Sequence, residues 1–279
     1  MTTRSAVSVR DALDGAVTAI TAGGSASARL DAELLLADAL GVGRERLRIE
    51  PEMAVDGPAV RRFQSHVRRR SVEREPVAYI VGSRAFRRIV LSVDPRVLVP
   101  RPETELLVEA ASELDCGARV LDCCTGSGAV ALALKDERAD LDLTGSDISE
   151  QALAVARANG ARLGLAVSWR RADLLEGLPD SFAAVIANPP YIPSAVLPTL
   201  EPEITRHEPP IALDGGSDGL YLVGRLIAQV AGTSASTLAI EHGEGQADAV
   251  AQRCRESGFT SIERRRDLAG IERMLLAQR

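Results

Sequence analysis

Four stretches of the chain combine residue types and spacing suited to chemistry on a small planar ligand. In "VIANPPYI" an apolar run stops abruptly at Asn188, Pro189, Pro190 and Tyr191. Both prolines have fixed φ, and each pushes the residue before it toward extended conformations, so these four residues form a stiff arm. Asn188 offers an amide oxygen, Pro189 a backbone carbonyl with no N–H of its own, and Tyr191 a flat ring. Two acceptors converging beside a ring can grip a planar NH₂ group, a use that a turn merely ending a strand would leave idle. In "LDCCTGSGAV", Gly126 and Gly128 let the backbone approach a ligand and aim helix N-terminal N–H groups at it. The third glycine of a dinucleotide fingerprint is missing, so an adenosine ligand without a pyrophosphate fits better. Asp147 follows about 20 residues on, where an acid can accept hydrogen bonds from ribose hydroxyls. It can equally cap the next helix, and both roles can coexist. Asp173 can accept from an exocyclic adenine amine while Leu174 packs on the ring; an ordinary capping aspartate reads the same way.

The elements that must position these groups follow from periodicity. "ARVLDCC", "DLTGSD", "AVSWRRAD" and "FAAVIAN" read as strands, with helices at "GAVALALKDE" and "SEQALAVARANGARLG", the latter capped by Ser149. Alternating strand and helix predicts an α/β fold with a mostly parallel sheet covered on both faces, the four chemical stretches gathering at the carboxyl ends of its strands. Further on come a helix near Leu220 to Val230, the strand "STLAIEHG", a helix through "QADAVAQRCRESG", and two strands, "FTSIERRR" and "ERMLLAQ", with no helix between them. Those two must pair as a hairpin, which predicts one antiparallel edge strand.

The first 75 residues have another texture. Ser8 can cap a helix carrying Val9, Leu13, Val17 and Ile20 on one face; a second helix starts near Ser27; a third follows Pro58, with Val60, Phe63 and Val67 in register. This is a small helical bundle. Its third helix also carries Arg61, Arg62, Arg68, Arg69 and Arg70, a surface for an acidic partner or RNA, although a solvated helix face is the more ordinary reading. From Pro76 short β-rich runs take over, "VAYIVG", "RRIVLSV" and "RVLVP", placing a boundary or hinge near residues 75 to 80.

Composition limits the function. A chain of 279 residues with 46% hydrophobic content can bury a large core and divides naturally into one large and one small domain. Cys116, Cys123, Cys124 and Cys254 form no CxxC pair and no metal-ligand spacing, and "MTTRSAVSVRDALDG" lacks a signal-peptide pattern, so a reducing cytoplasm is expected and no metal. No apolar run is long enough for a bilayer, so no membrane partner is expected. A net charge of -6 disfavours a partner held mainly through phosphates.

"DCCTGSG", Asp147, "AD" at Asp173 and "NPPY" together resemble the class I S-adenosylmethionine-dependent methyltransferases that modify planar nitrogens. More narrowly, "EPVAYIVGSRAF", "VLVPRPETELLVE", "NPPYIP" and "EPPIALDGGSDGL" resemble the HemK/PrmC family, the protein-(glutamine-N5) methyltransferases of class I peptide chain release factors. The resemblance covers nearly the whole chain. It implies a Rossmann-like seven-stranded sheet, a helical substrate-recognition domain over 1–75, a hairpin linker over 76–99 and a catalytic domain over 100–279. It further implies S-adenosylmethionine as methyl donor, S-adenosylhomocysteine as product, and the Gly-Gly-Gln glutamine of a release factor as target. Cys124, Thr125, Gly126, Ser127, Gly128, Asp147, Asp173, Leu174 and Asn188 would hold the cofactor, Asn188, Pro189, Pro190 and Tyr191 the glutamine, and Glu103 would border the pocket. Three positions depart from the family pattern: Cys124 stands where glycine is usual, "EHG" replaces Glu-Ile-Gly at 241–243, and Leu174 replaces an aromatic found in some members. The same motif suits two other targets, an adenine amine of nucleic acid or a glutamine of a ribosomal protein.

Overall fold

The computed structural model describes residues 7–279; the opening "MTTRSA", part of the stretch inspected for a signal peptide, lies outside them. No helix among the described residues is long and apolar enough to cross a membrane. Two units form, one comprising residues up to Gly82 together with Glu201–His207, the other Ser83–Leu200 with Glu208–Arg279.

The first unit contains α1 (Val9–Ala22), α2 (Ala28–Leu40), α3 (Arg44–Ile49), α4 (Gly57–Ser71) and α5 (Val77–Val81), with a two-residue antiparallel pairing of β1 (Val7–Ser8) and β2 (Ala54–Val55). The Ser8 hydroxyl accepts from the Asp11 N–H and so caps α1. Val9, Leu13, Ile20, Leu35, Leu36 and Phe63 form the core. "VAYIVG" is the helix α5 and not a strand: Pro76 precedes its first turn, and Gly82, at φ +72°, ends it in the left-handed conformation glycine tolerates. "RVLVP" is also without a strand. From much later in the chain, α9 (Pro202–His207) belongs to this unit. Its Glu203 takes Arg70 and Arg74, and Arg70 in turn grips Asp31 at 2.7 Å. Arg70 and Asp31 are buried, so the arginine-rich helix directs at least one of its charges inward. Arg69 is held by Glu75 through two bonds of 2.6 Å.

The second unit begins with a hairpin, β3 (Ser83–Phe86) and β4 (Ile89–Ser92), then α6 (Glu105–Ser112). Its sheet is built from β5 (Arg119–Cys123), β6 (Asp142–Asp147), β7 (Ser168–Arg171), β8 (Ala184–Ala187), β9 (Thr237–Glu241), β10 (Ser261–Arg266) and β11 (Glu272–Gln278). The order is β10-β11-β9-β8-β5-β6-β7. Helices α7 (Ala129–Glu137), α8 (Glu150–Leu163), α10 (Tyr221–Ala231) and α11 (Ala247–Glu256) supply the crossovers. β11 is antiparallel to both β9 and β10, so the antiparallel strand lies one position in from the edge. The tight β10–β11 hairpin inserts its second strand beside β9 and leaves the first outside. β8 and β9 are buried along their whole length, as strands covered on both faces must be.

Candidate active site

A cavity of about 270 Å³ opens at the carboxyl ends of β5, β6, β7 and β8. Cys124, Thr125, Gly126 and Ser127 line it after β5, Asp147 after β6, Asp173 and Leu174 after β7, and Asn188 and Pro190 after β8. Four separate stretches of sequence thus meet at one edge of the sheet. Gly128, Pro189 and Tyr191 are not on the cavity wall. Gly128, at φ +82°, lies under Trp169, whose ring would be 2.9 Å from any added Cβ. That glycine serves the close packing of α7 on the sheet.

The turn after β5 is held from several sides. Asp122 accepts from the Thr125 hydroxyl at 2.5 Å and from the Ala131 N–H at 3.1 Å, standing in for the N-cap side chain that Gly128 cannot supply to α7. Burial pushes the Asp122 carboxyl up to about 7 against those bonds. Asn159 of α8, fully buried, clasps Ser92 through both its N–H and C=O and donates to the Ser127 carbonyl, tying hairpin to turn. Cys124, at φ +62°, occupies a conformation that favours glycine, and Leu174 is likewise left-handed at +55°.

Asp147 accepts from the Gly126 N–H and the Ser149 N–H, both at 2.9 Å. It braces the turn, while Ser149 itself caps α8. Burial raises its pKa and the backbone bonds oppose that rise. Each oxygen keeps a lone pair for a ligand hydroxyl. Asp173 is paired with Arg225 of α10 at 3.0 Å, and both face the cavity. Sequence reasoning missed that arginine because it lies fifty residues away with no local motif.

The Asn188–Tyr191 arm is clamped. Asn188 Nδ2 donates to Thr104 Oγ1 at 3.2 Å, and the Tyr191 hydroxyl donates to Glu241 Oε1 at 3.1 Å. The Tyr191 carbonyl accepts from Gln246 at 2.9 Å. Ile192 exchanges backbone bonds with Leu213 and Gly215 of the "LDGGSDGL" loop. Gly219, at φ +74°, approaches so closely that a Cβ there would lie 2.3 Å from the Tyr191 carbonyl oxygen. Glu208 of "EPP", buried, takes Arg101 of "PRPET" at 2.6 Å. In "PRPETE" it is Pro100, Arg101 and Thr104 that line the cavity, and Glu103 does not.

The cavity fits an adenosine-bearing cofactor. The space before Gly126 is open, with no atom within 4 Å of a Cβ built there. Two acids, Asp147 and Asp173, stand at successive strand ends, and Ile148, Leu174, Ile211 and Leu222 give the apolar walls a purine needs.

Sheet order, glycine turn and strand-end acids define the class I S-adenosylmethionine-dependent methyltransferase fold. The PrmC N-terminal domain family matches residues 11–82, and the methyltransferase small domain family matches residues 102–200. The chain is 40% identical over 260 residues to the release factor glutamine methyltransferase of Rhodospirillum rubrum, covering 90% of this chain and 79% of that one. To the release factor glutamine methyltransferase of Moorella thermoacetica it is 40% identical over 284 residues, covering 98% and 99%. A methyltransferase crystal structure from Pyrococcus furiosus superposes with a TM-score of 0.53 at 16% identity, over 67% of this chain and 87% of that one, a likeness of fold alone. The chain belongs to the release factor glutamine methyltransferase family.

Proposed function

We propose that this protein methylates the side-chain amide nitrogen of the glutamine in the Gly-Gly-Gln motif of class I peptide chain release factors, in the cytoplasm. S-adenosylmethionine is the proposed donor and S-adenosylhomocysteine the product. The observation that carries the reading is the setting of Asn188: its Nδ2 is held by Thr104 at the cavity edge, which leaves Oδ1 as an acceptor for an incoming NH₂.

When bound, S-adenosylmethionine supplies an activated methyl group on a sulfonium. Asp147 is the proposed partner of its ribose hydroxyls, and the Asp173–Arg225 pair with Leu174 the proposed seat of its base. An amide nitrogen is a poor nucleophile because its lone pair is delocalised into the carbonyl. Asn188 Oδ1 and the Pro189 carbonyl, accepting from the two N–H groups, draw density onto that nitrogen and stabilise the charge that develops there. Tyr191 and Pro190 pack the glutamine side chain and fix its approach. No strong base is needed before transfer, since the methylated nitrogen is acidic and sheds its proton afterwards. The helical unit is the proposed recognition surface for the protein substrate, remote binding energy holding the amide in place. With Arg69 and Arg70 of α4 engaged by Glu75, Asp31 and Glu203, its exposed arginines reduce to Arg61, Arg62 and Arg68, which weakens the reading of this helix as a nucleic-acid surface.

Intact-mass measurement of a purified release factor incubated with the protein and S-adenosylmethionine tests this reading. One added methyl group is expected, and none when the glutamine of the motif is changed to alanine. A wild-type factor that gains nothing, or an altered one that still gains a methyl, would overturn it.

A further inference from the structure

Leu174, the residue after Asp173, has its backbone at φ +55° and its side chain, only 5% exposed, on the cavity wall. A glycine would take that conformation without strain, but it would strip the wall of an apolar side chain. Such strain persists only where the surroundings hold it. The turn is closed by the Glu176 N–H, which donates to the Asp173 carbonyl at 3.1 Å. Two side chains of α10 hold it from outside. Arg225 Nη2 donates to Asp173 Oδ2 and to Glu176 Oε1, each at 3.0 Å, and so joins the first and last residues of the turn. Gln229 Oε1 accepts from the Leu175 N–H at 2.9 Å. Arg225 and Gln229 stand four residues apart on one face of α10, and between them they fix both neighbours of Leu174. The Arg225 guanidinium lies 5.8 Å from the centre of the Tyr221 ring, one turn earlier, which restrains it in its own place.

A carboxylate discriminates between purines only while its direction is fixed. Adenine presents an exocyclic NH₂ donor where hypoxanthine presents an oxygen acceptor, so an acceptor aimed at that edge binds the first and repels the second. A carboxylate free to turn escapes this choice, because it can accept from the ring N–H of hypoxanthine instead, or swing into water. Asp173 has room to do so, since its side chain keeps 36% of its accessible surface. Arg225 takes Oδ2 only, which leaves Oδ1 to accept from a ligand.

We propose that Arg225 and Gln229 are positioning residues that lock the 173–176 turn, hold Asp173 Oδ1 toward the exocyclic amine of the cofactor's purine, and so make the site select adenine over hypoxanthine. This deepens the proposed seating of the S-adenosylmethionine base and rests on it. Gln229 is not on the cavity wall, so any effect of its removal on the choice of purine must pass through the turn.

Calorimetric titration with S-adenosylhomocysteine and with S-inosylhomocysteine, its hypoxanthine counterpart, measures the choice without turnover. The proteins compared are wild type, Arg225→Ala, Gln229→Ala, Gln229→Glu, which keeps an acceptor for the Leu175 N–H, and Asp173→Asn, whose amide can turn to accept or to donate and so marks a site without the choice. Wild type should bind S-adenosylhomocysteine about ten-fold or more tighter than S-inosylhomocysteine. In Arg225→Ala and Gln229→Ala that ratio should fall to about three-fold or less, toward the Asp173→Asn value, and Gln229→Glu should restore most of it. An unchanged ratio, whether the affinities stay as they were or fall equally for both ligands, would assign the two residues to fold stability alone and overturn the proposal; Gln229→Ala decides the matter by itself if the Arg225 variant does not fold. Wild type that binds both compounds equally overturns the selection. Wild type that binds neither overturns the cofactor reading and this proposal with it.

Discussion

Asn188 was singled out before any coordinates, because an asparagine before two prolines at a strand end has few uses, and the structure puts it on the cavity wall. Its partner Thr104 was hidden inside "PRPETE", where the charged neighbour Glu103 drew attention instead. Asn188→Ala should leave S-adenosylmethionine affinity largely unchanged and cost roughly 10²-fold or more in kcat, since the lost acceptor acts mainly in the transition state. Single-turnover methylation and cofactor titration on one preparation separate the two effects; turnover near wild type would remove Asn188 from the mechanism. Cys124 and Leu174 were recognisable as departures from a family pattern, but not their backbone strain, which shows only in φ values of +62° and +55°. The left-handed region tolerates an unbranched Cβ and penalises a branched one, so Cys124→Val should destabilise the protein by about 1–2 kcal/mol and weaken cofactor binding, whereas Cys124→Gly should retain both. Equal melting temperatures for the valine and wild-type proteins would show that the turn relaxes. His242, in the "EHG" departure, is fully buried; its Nδ1 meets the Gly243 carbonyl at 3.0 Å, its Nε2 is unpartnered, and burial lowers its pKa.

At the scale of elements, strands such as β5, β8 and β9 were legible as short apolar runs and α8 by its cap and glycine stop, whereas α6, with no side-chain cap and no glycine stop, was not read. β8 and α8 are the clearest, an unbroken "AVIA" and a helix between Ser149 and Gly164. "VAYIVG" misled because β-branched residues and a tyrosine describe a strand by propensity, while Pro76 and Gly82 describe a single helical turn by position; the boundary residues won. Nor could the position of the antiparallel strand be read from "FTSIERRR" and "ERMLLAQ", since a hairpin signal does not say which of its strands joins the sheet. The loop "LDGGSDGL" carried no chemistry on its face, yet it holds the arm in place. Gly219→Ala adds a Cβ where 2.3 Å separates it from the Tyr191 carbonyl, at a φ that alanine resists. It should destabilise the catalytic unit by about 1–3 kcal/mol and reduce methylation more than cofactor affinity. Cofactor titration against methylation rate checks this, and a parallel loss of both would place the damage in general unfolding.

For the molecule as a whole, buried acids set opposite pH responses in its two units. In the catalytic unit, burial raises Asp122 and Glu241 to about 7, well above their ordinary 3.8 and 4.5. The folded form then holds protons that the unfolded chain has released, so the stability they contribute is present below the ordinary carboxylate range and is lost as pH rises through about 7. In the helical unit, burial also disfavours the charged form of Glu33, but bonds from Arg44, Arg29 and Arg48 outweigh it and bring the pKa to about 2. Its contribution is present above 4.5 and is lost as pH falls toward 2. Trp169, the single tryptophan of the chain, lies in the catalytic unit and reports on it alone. Urea midpoints read from its fluorescence should decline from about pH 5 to about pH 8, and the decline should be shallower in Asp122→Asn and in Glu241→Gln. A midpoint that climbs with pH across that range in wild type would contradict the assignment of both acids.

The helical unit is assembled from two parts of the chain, and α9 is the later one. A ribosome making this protein releases α1 to α5 first, then every strand from β3 to β8, and only then Glu203. Until that moment Arg74 has neither of its carboxylate partners, Glu201 and Glu203, and Arg70 has Asp31 alone. Nascent domains usually close as soon as their residues have emerged. This one stays open at one place through the synthesis of most of its neighbour, and the segment that closes it is drawn from the loop that follows Asn188 and Tyr191. Birth order thereby ties completion of the helical unit to prior emergence of the Asn188–Tyr191 arm.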